Sequence, residues 1–344
     1  MEDDCPSAPT RPPEPTHAPW SDRHVLRARS GIVWRPAATF GVLALALLMM
    51  APLGTPVRLA PGSLTLASTA VPTYDHIFIL MEENANRTST GKAPYIIGNP
   101  QAPYLNSLAS TYAQSSNYHG VTHPSIPNYM AATTGNVEAK ISNTCHPGVG
   151  GCTTSDPAIV DRVEASGRTW KAYLESMPVN CDLKNSSDGL YKTHFNPFVY
   201  FSQIRNSTRC QRDVPFTQFS SDLAAAATTP NYVWITPNTN DNMNNKDVAK
   251  GDAWAKSALT AVFNSPAWRT QRSLLIVTWD ENYSTSSNNV AFIAVASNGT
   301  TQTNFTSALQ TNHYNMLRTV EASWGLAPVG TGDAAAAPMT DLFR

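Results

Sequence analysis

The patterning predicts an α/β fold, a three-layer α/β/α sandwich built on a largely parallel sheet. Short apolar runs at 76–81 (HIFILM), 232–235 (YVWI), 274–279 (LLIVTW) and 290–296 (VAFIAVA) are continuous rather than alternating. Strands buried on both faces look like this. Segments with apolar residues at helical spacing lie between those runs. No internal repeat or low-complexity tract interrupts the alternation, so one sheet with crossover helices accommodates it.

Residues 1–70 stand apart from that domain. Met1 to Pro36 is Pro-rich, lacks an apolar period and ends in a basic cluster of Arg23, Arg27, Arg29 and Arg35. An uncharged apolar run from Ala37 to Ala51 follows, closed by Pro52. It matches the apolar part of an export signal and falls short of the ~20 residues of a spanning helix. Arginines before the run point its C-terminal side outward. Ser68-Thr69-Ala70 offers the small residues a signal peptidase reads. An uncleaved signal-anchor is the alternative. Either way, the functional domain, 71–344, is expected outside the cytoplasm, secreted or at the cell surface.

In chain order, 76–81 reads as the first strand. Residues 102–114 read as a helix through Leu105, Leu108, Ala109 and Tyr112. Residues 125–134 form a helix with a Pro-rich start, and 159–165 one stopped by Gly167. The strand 232–235 precedes a long helix over 248–263. Strands 274–279 and 290–296 follow, and a last helix over 314–324 ends at Gly325.

Composition narrows the function. Charged residues make up 14% of the 344, against ~25% in an average soluble domain, and neutral polar residues with 26 Pro fill the gap. Lys+Arg 24 against Asp+Glu 25 leaves a net charge of -1, which excludes nucleic-acid binding driven by bulk charge. Disorder of the whole chain is excluded by 8 Trp, 12 Tyr and 11 Phe. Cys5 sits in the leader, leaving Cys145, Cys152, Cys181 and Cys210. Nearest-in-sequence pairing, Cys145–Cys152 and Cys181–Cys210, would staple two loops in an oxidising compartment. A cysteine metal site would be the alternative, but no C-x2-C spacing supports it.

In a parallel α/β sheet, sites gather at the C-terminal strand ends. Three apolar strands end in acids and amides: Glu82-Glu83-Asn84, Asn238 to Asn242, and Asp280-Glu281-Asn282. Any one of these can be a helix cap. Together, Glu83, Asn84, Asp280 and Glu281 are candidate oxygen ligands for a divalent cation of unspecified identity. Ser125 lies in Thr122-His123-Pro124-Ser125-Ile126-Pro127-Asn128-Tyr129, where prolines favour a helix start. A hydroxyl there sits by free amides at a dipole's positive end, an anion site. It is either a nucleophile for a phosphoryl centre, with Asn128 and amides meeting the charge, or a plain N-cap. His123 belongs to the same segment. His194 and His313 are candidate acids, ligands or caps.

The ordered motifs MEEN (81–84), APYLNSLA (102–109), THPSIPNY (122–129), WKAYLESMP (170–178), THFNPFVYF (193–201), ITPN (235–238), GDAW (251–254), LLIVTWDEN (274–282) and HYNMLRTVE (313–321) resemble the bacterial phosphoesterase family. That family holds secreted acid phosphatases and phospholipases C within the alkaline phosphatase superfamily. The resemblance covers nearly all of 74–344. It implies an alkaline-phosphatase-like fold, Ser125 as a nucleophile that becomes phosphorylated, and Asn128 on the phosphate. It also implies Glu83 with Asn84 and Asp280 with Glu281 as metal-binding pairs. His194 would protonate the leaving group, and His313 would lie near the site. The implied substrates are small-molecule or lipid phosphate esters, phosphoinositides among them, with membrane contact only through the leader or a lipid substrate.

One departure stands out. Relatives carry an Asn-Asp-Met-His-Asp type segment after the ITPN strand, where this chain reads Asp241-Asn242-Met243-Asn244-Asn245. Asn242, Asn244 and Asn245 thus replace Asp, His and Asp. Asn neither titrates nor ligates strongly. Weakened activity or an altered metal need is expected, with Asp241 partly compensating. The expected function is a secreted phosphomonoesterase. A phospholipase C-type diesterase is the alternative, disfavoured because phospholipases in the family often carry further C-terminal domains. A non-catalytic anion- or lipid-binding homologue is the reading from a different class.

Overall fold

The computed structural model describes residues 70–283 and 286–344. The leader expected over 1–70, with its apolar run, falls almost wholly outside the described residues. Among the described residues, no helix is long and apolar enough to cross a membrane.

The strands are β1 (His76–Glu82), β2 (Ala113–His119), β3 (Trp170–Leu174), β4 (Asp213–Pro215), β5 (Tyr232–Thr236), β6 (Ser273–Trp279), β7 (Asn289–Ala296), β8 (Phe305–Ser307) and β9 (Thr311–Asn312). They form a single sheet in the order β4-β3-β5-β1-β6-β7-β2-β8, with β9 beside β2. Pairing is parallel from β4 through β6 and between β2 and its partners β8 and β9. β7 runs antiparallel to both β6 and β2. The sheet is therefore mixed and mostly parallel.

The helices are α1 (Pro103–Thr111), α2 (Ser125–Thr134), α3 (Ile159–Ala165), α4 (Ser202–Arg205), α5 (Phe219–Asp222), α6 (Val248–Asn264), α7 (Pro266–Thr270), α8 (His313–Trp324) and α9 (Thr331–Ala335). They fall into packed groups: α1 and α7 against α6, and α3 and α8 against α2. Every residue of β1, β5 and β6 is buried. The apolar side chains of β6 contribute roughly 1.5–3 kcal/mol each. Truncating the fully enclosed Ile276 to Ala would cost about 2–5 kcal/mol. Helix stops follow the sequence: Gly325 caps α8 at φ 64 and Gly167 follows α3 at φ 78.

The helix expected over 102–114 is shorter. It ends at Thr111, and Tyr112 turns extended at φ -113 and ψ -156. Ala113 onward becomes β2, whose AQSSNYH sequence has no apolar run because its burial is intermittent. Both expected disulfides are present, Cys145–Cys152 and Cys181–Cys210.

Candidate active site

Parallel register builds the site. Glu82 lies opposite Trp279, so the next residues, Glu83 and Asp280, emerge together at the strand ends. Backbone bonds fix the junction: Asp280 N–H donates to the Glu82 carbonyl at 3.0 Å and Glu83 N–H to the Asn242 carbonyl at 2.9 Å. Asn84 takes a left-handed backbone with φ 50, which Asn tolerates better than most residues. Its N–H donates to Asp280 Oδ1 at 3.1 Å and its amide to Glu83 Oε2 at 2.7 Å.

α2 begins at Ser125 and faces these carboxylates. Ser125 Oγ lies 3.1 Å from Glu83 Oε2 and 3.2 Å from Glu281 Oε1, so its one proton is offered to both. One helical turn on, Tyr129 donates to Glu83 Oε1 at 2.6 Å. Asn128 donates to Glu281 Oε2 at 3.3 Å and to the Thr122 carbonyl at 2.8 Å. Its own oxygen accepts from Val121 and Thr122 N–H. Asn128 therefore shapes the loop that presents Ser125. In the first turn, Ile126 N–H is taken by Asn143 Oδ1 at 3.0 Å and Pro127 has none. That leaves the N–H of Ser125 itself to meet an anion there. His123 Nδ1 sits 2.7 Å from Glu281 Oε2, with its side chain 41% exposed.

The charges at this point are unbalanced. Burial, and then the neighbouring Asp280 and Glu281, push the Glu83 carboxyl well above its ordinary range. Burial and Glu281 do the same to Asp280. Glu281 is pushed up to about 8 by burial, against the pull of hydrogen bonds from Ser125 and Asn128. Asp280 Oδ2 is buried without a hydrogen-bond partner. An all-oxygen donor set of excess negative charge fits a hard divalent cation. Among the described residues, no group of three or more His, Cys, Asp or Glu side chains is already arranged to hold one. Oxygens of Glu83 and Glu281 are turned to Ser125 and Tyr129 instead.

The other sequence candidates lie around this cluster. His194 is on the turn Thr193–Phe195, which packs against α2. Burial, and then Lys192, pushes its imidazole down to about 4. Among the described residues it makes no hydrogen bond to the cluster. His313 is fully buried behind Asp280. Its Nε2–H donates to the Asp280 carbonyl at 2.6 Å and its Nδ1 accepts from Tyr118 OH at 2.8 Å. Asp241 lies 3.7 Å from Lys250 Nζ, on the α6 side. Asn244 N–H donates to Asn242 Oδ1 at 3.1 Å, and the Asn245 amide to the Asn240 carbonyl at 3.2 Å. Asn242 is buried, and its Nδ2 has no partner.

Tyr129, Asn143 and Tyr118 were not singled out by the sequence. Only Tyr129 carried a signal, since it follows Ser125 by four residues on one helix face.

Comparison with known proteins follows the same lines. Residues 95–285 match the Phosphoesterase family. The phosphatidylinositol-3-phosphatase of Mycobacterium tuberculosis is 33% identical over 312 residues, 90% of this chain and 95% of that protein. An acid phosphatase of Aspergillus fumigatus is 27% identical over 243 residues, 67% of this chain and 52% of that protein. In fold, the chain resembles an alkaline phosphatase superfamily protein of Vibrio parahaemolyticus at TM-score 0.52 and 12% identity, over 80% of this chain and 73% of that one. By the family match over 95–285 and by its likeness to the mycobacterial enzyme, the chain belongs to the phosphoesterase family.

Proposed function

We propose that this chain is an exported phosphomonoesterase of the acid phosphatase type, acting on phosphate esters that include phosphoinositides. The observation that carries the reading is the Ser125 hydroxyl held between Glu83 and Glu281 at the start of α2. A single phosphoesterase domain over 71–344, with helices on both faces of the sheet, presents it. Two disulfides and the sequence of the leader support export.

Ser125 Oγ attacks phosphorus, and its proton passes to a facing carboxylate, Glu83 or Glu281. The Ser125 N–H meets charge on a phosphoryl oxygen. Asn128 keeps the loop and Glu281 in place. His194 gives a proton to the leaving alkoxide, and water then releases phosphate from the serine. A divalent cation held by Glu83, Asn84, Asp280 and Glu281 would supply Lewis-acid stabilisation of the phosphoryl charge and lower the pKa of its carboxylates. The relatives named for phosphatase activity support the monoester reading.

The test is a panel of p-nitrophenyl phosphate, its diester and phosphoinositides, run across pH with and without EDTA. Monoester turnover is expected, and Ser125→Ala should lower kcat by at least ~10³-fold with little change in Tm. Turnover that survives in Ser125→Ala removes the nucleophile assignment.

A further inference from the structure

We propose that the cavity walled by Lys92 and Lys246 is a second anion subsite, which holds a phosphate group of the substrate other than the one being cleaved. This rests on the phosphatase reading and adds to it a determinant of substrate choice.

The cavity has a volume of about 400 Å³ and is lined by Lys92, Tyr95, Asn99, Gln101, Lys246 and Val248 together with small apolar residues, and no carboxylate lines it. That volume falls in the range of small-ligand sites. Among the described residues, Lys92 and Lys246 enter no ion pair, a state they share with Lys140, Lys184, Lys192 and Lys256, whereas Lys171 and Lys250 are paired with carboxylates. What sets this pair apart is that both lysines, each exposed, line one cavity that holds no carboxylate. The Lys246 ammonium is also held in place, 4.4 Å from the centroid of the Tyr283 ring.

The position fits a subsite. Lys246 N–H donates to the Met243 carbonyl at 2.8 Å, and the preceding carbonyl, of Asn242, receives Glu83 N–H at 2.9 Å. The Glu83 and Lys246 amides are thus linked across one peptide unit and lie within roughly 10 Å. Tyr283 follows Asp280-Glu281-Asn282 directly, and its N–H donates to Asn86 Oδ1 at 3.0 Å. The cavity is lined by the segments after β1 and β5, the first of which also carries Glu83, and Lys246 of its wall touches Tyr283 in the loop that carries Asp280 and Glu281. The cavity and the Ser125 cluster differ in sign: ammoniums gather at one and carboxylates at the other. A substrate with a monoester phosphate and a second anionic phosphate can span the two. A phosphoinositide, whose headgroup joins a ring phosphate to a phosphodiester, has this form.

The experiment compares wild type with the double variant Lys92→Ala/Lys246→Ala on p-nitrophenyl phosphate, soluble inositol 1,3-bisphosphate and phosphoinositide vesicles. A parallel titration reads binding of the bisphosphate without turnover. The ratio of kcat/KM for bisphosphate over p-nitrophenyl phosphate should fall at least ~10-fold, about 1.4 kcal/mol, with a matching loss of bisphosphate affinity. An unchanged ratio and affinity overturn the subsite. A loss confined to vesicles overturns it too, since the lysines would then be touching bilayer phosphates. If wild type turns over none of the substrates, the phosphatase reading fails by itself. The titration then decides the subsite, and equal affinity in both proteins removes it.

Discussion

Tyr129 donates to one oxygen of Glu83 at 2.6 Å, while Ser125, one turn earlier on the same helix, lies 3.1 Å from the other. The tyrosine is buried and has no route to substrate, so it fixes the carboxylate rather than reacting. Tyr129→Phe keeps the ring and leaves Glu83 Oε1 buried without its donor, at a cost of about 1–3 kcal/mol. The expected result is a drop of ~10-fold or more in kcat with little change in KM, read by steady-state kinetics beside a melting curve. Unaltered kcat in a folded variant would show that Ser125 does not depend on this orientation.

As the proton donor proposed for the leaving group, His194 should set the alkaline side of the activity profile. Burial and then Lys192 push its imidazole down to about 4. Only the protonated ring can donate to a leaving group, so kcat should fall as pH rises through that value. His194→Gln should lower kcat by ~10²-fold and flatten this limb, while a substrate with a good leaving group such as p-nitrophenolate should lose less. A limb that persists unchanged in His194→Gln assigns it to another group.

The asparagine segment is open to repair. Asn242 lies against the backbone of Glu83, and its own Nδ2 is buried without a partner. Asn244 is half-buried two residues on, with its N–H on the Asn242 side chain. Returning a titratable ring with Asn244→His should raise kcat/KM by ~10-fold or more, measured with p-nitrophenyl phosphate and saturating divalent cation. Equal kcat/KM in the two proteins would mean that the substitution does not limit the reaction.

The sequence revealed what depends on continuous burial. β1, β5, β6 and β7 were visible because both faces are covered, so their residues are apolar without a break. β2 was hidden because Gln114, Ser116 and Asn117 are only half-buried and polar. The carboxylates of the site followed from strand ends alone, since parallel register brings such ends together. What stayed hidden was which atom of a residue is used. His313 does lie by the site, but it addresses the backbone carbonyl of Asp280, with Tyr118 behind it. Asp241 follows the ITPN strand as expected, but the partner of its carboxylate is Lys250 on α6, 3.7 Å away. Direction of this kind comes from packing between distant segments, which spacing along the chain does not encode.

Stability should peak in mild acid, between buried carboxyls away from the serine cluster and buried histidines at or behind it. Burial raises Asp213 to about 7 and Glu321 to about 8. Their unfolded values are ~3.9 and ~4.3. Both folded values are raised, so the folded state binds extra protons and this stability is lost as pH rises through about 7 and 8. The buried His313 works the other way. Its folded value of about 4 lies below the unfolded ~6.5, so stability is lost as pH falls from ~6.5 toward 4. His194, at about 4, adds to that acid-side loss. Above pH ~6.5 only the carboxyl effect remains, so Tm should decline from there to pH 9. Asp213→Asn and Glu321→Gln, neutral at every pH, should together flatten that decline in a calorimetric series. An equally steep decline in the double variant would place its origin elsewhere, with the Glu83, Asp280 and Glu281 cluster the next group to vary by adding divalent cation.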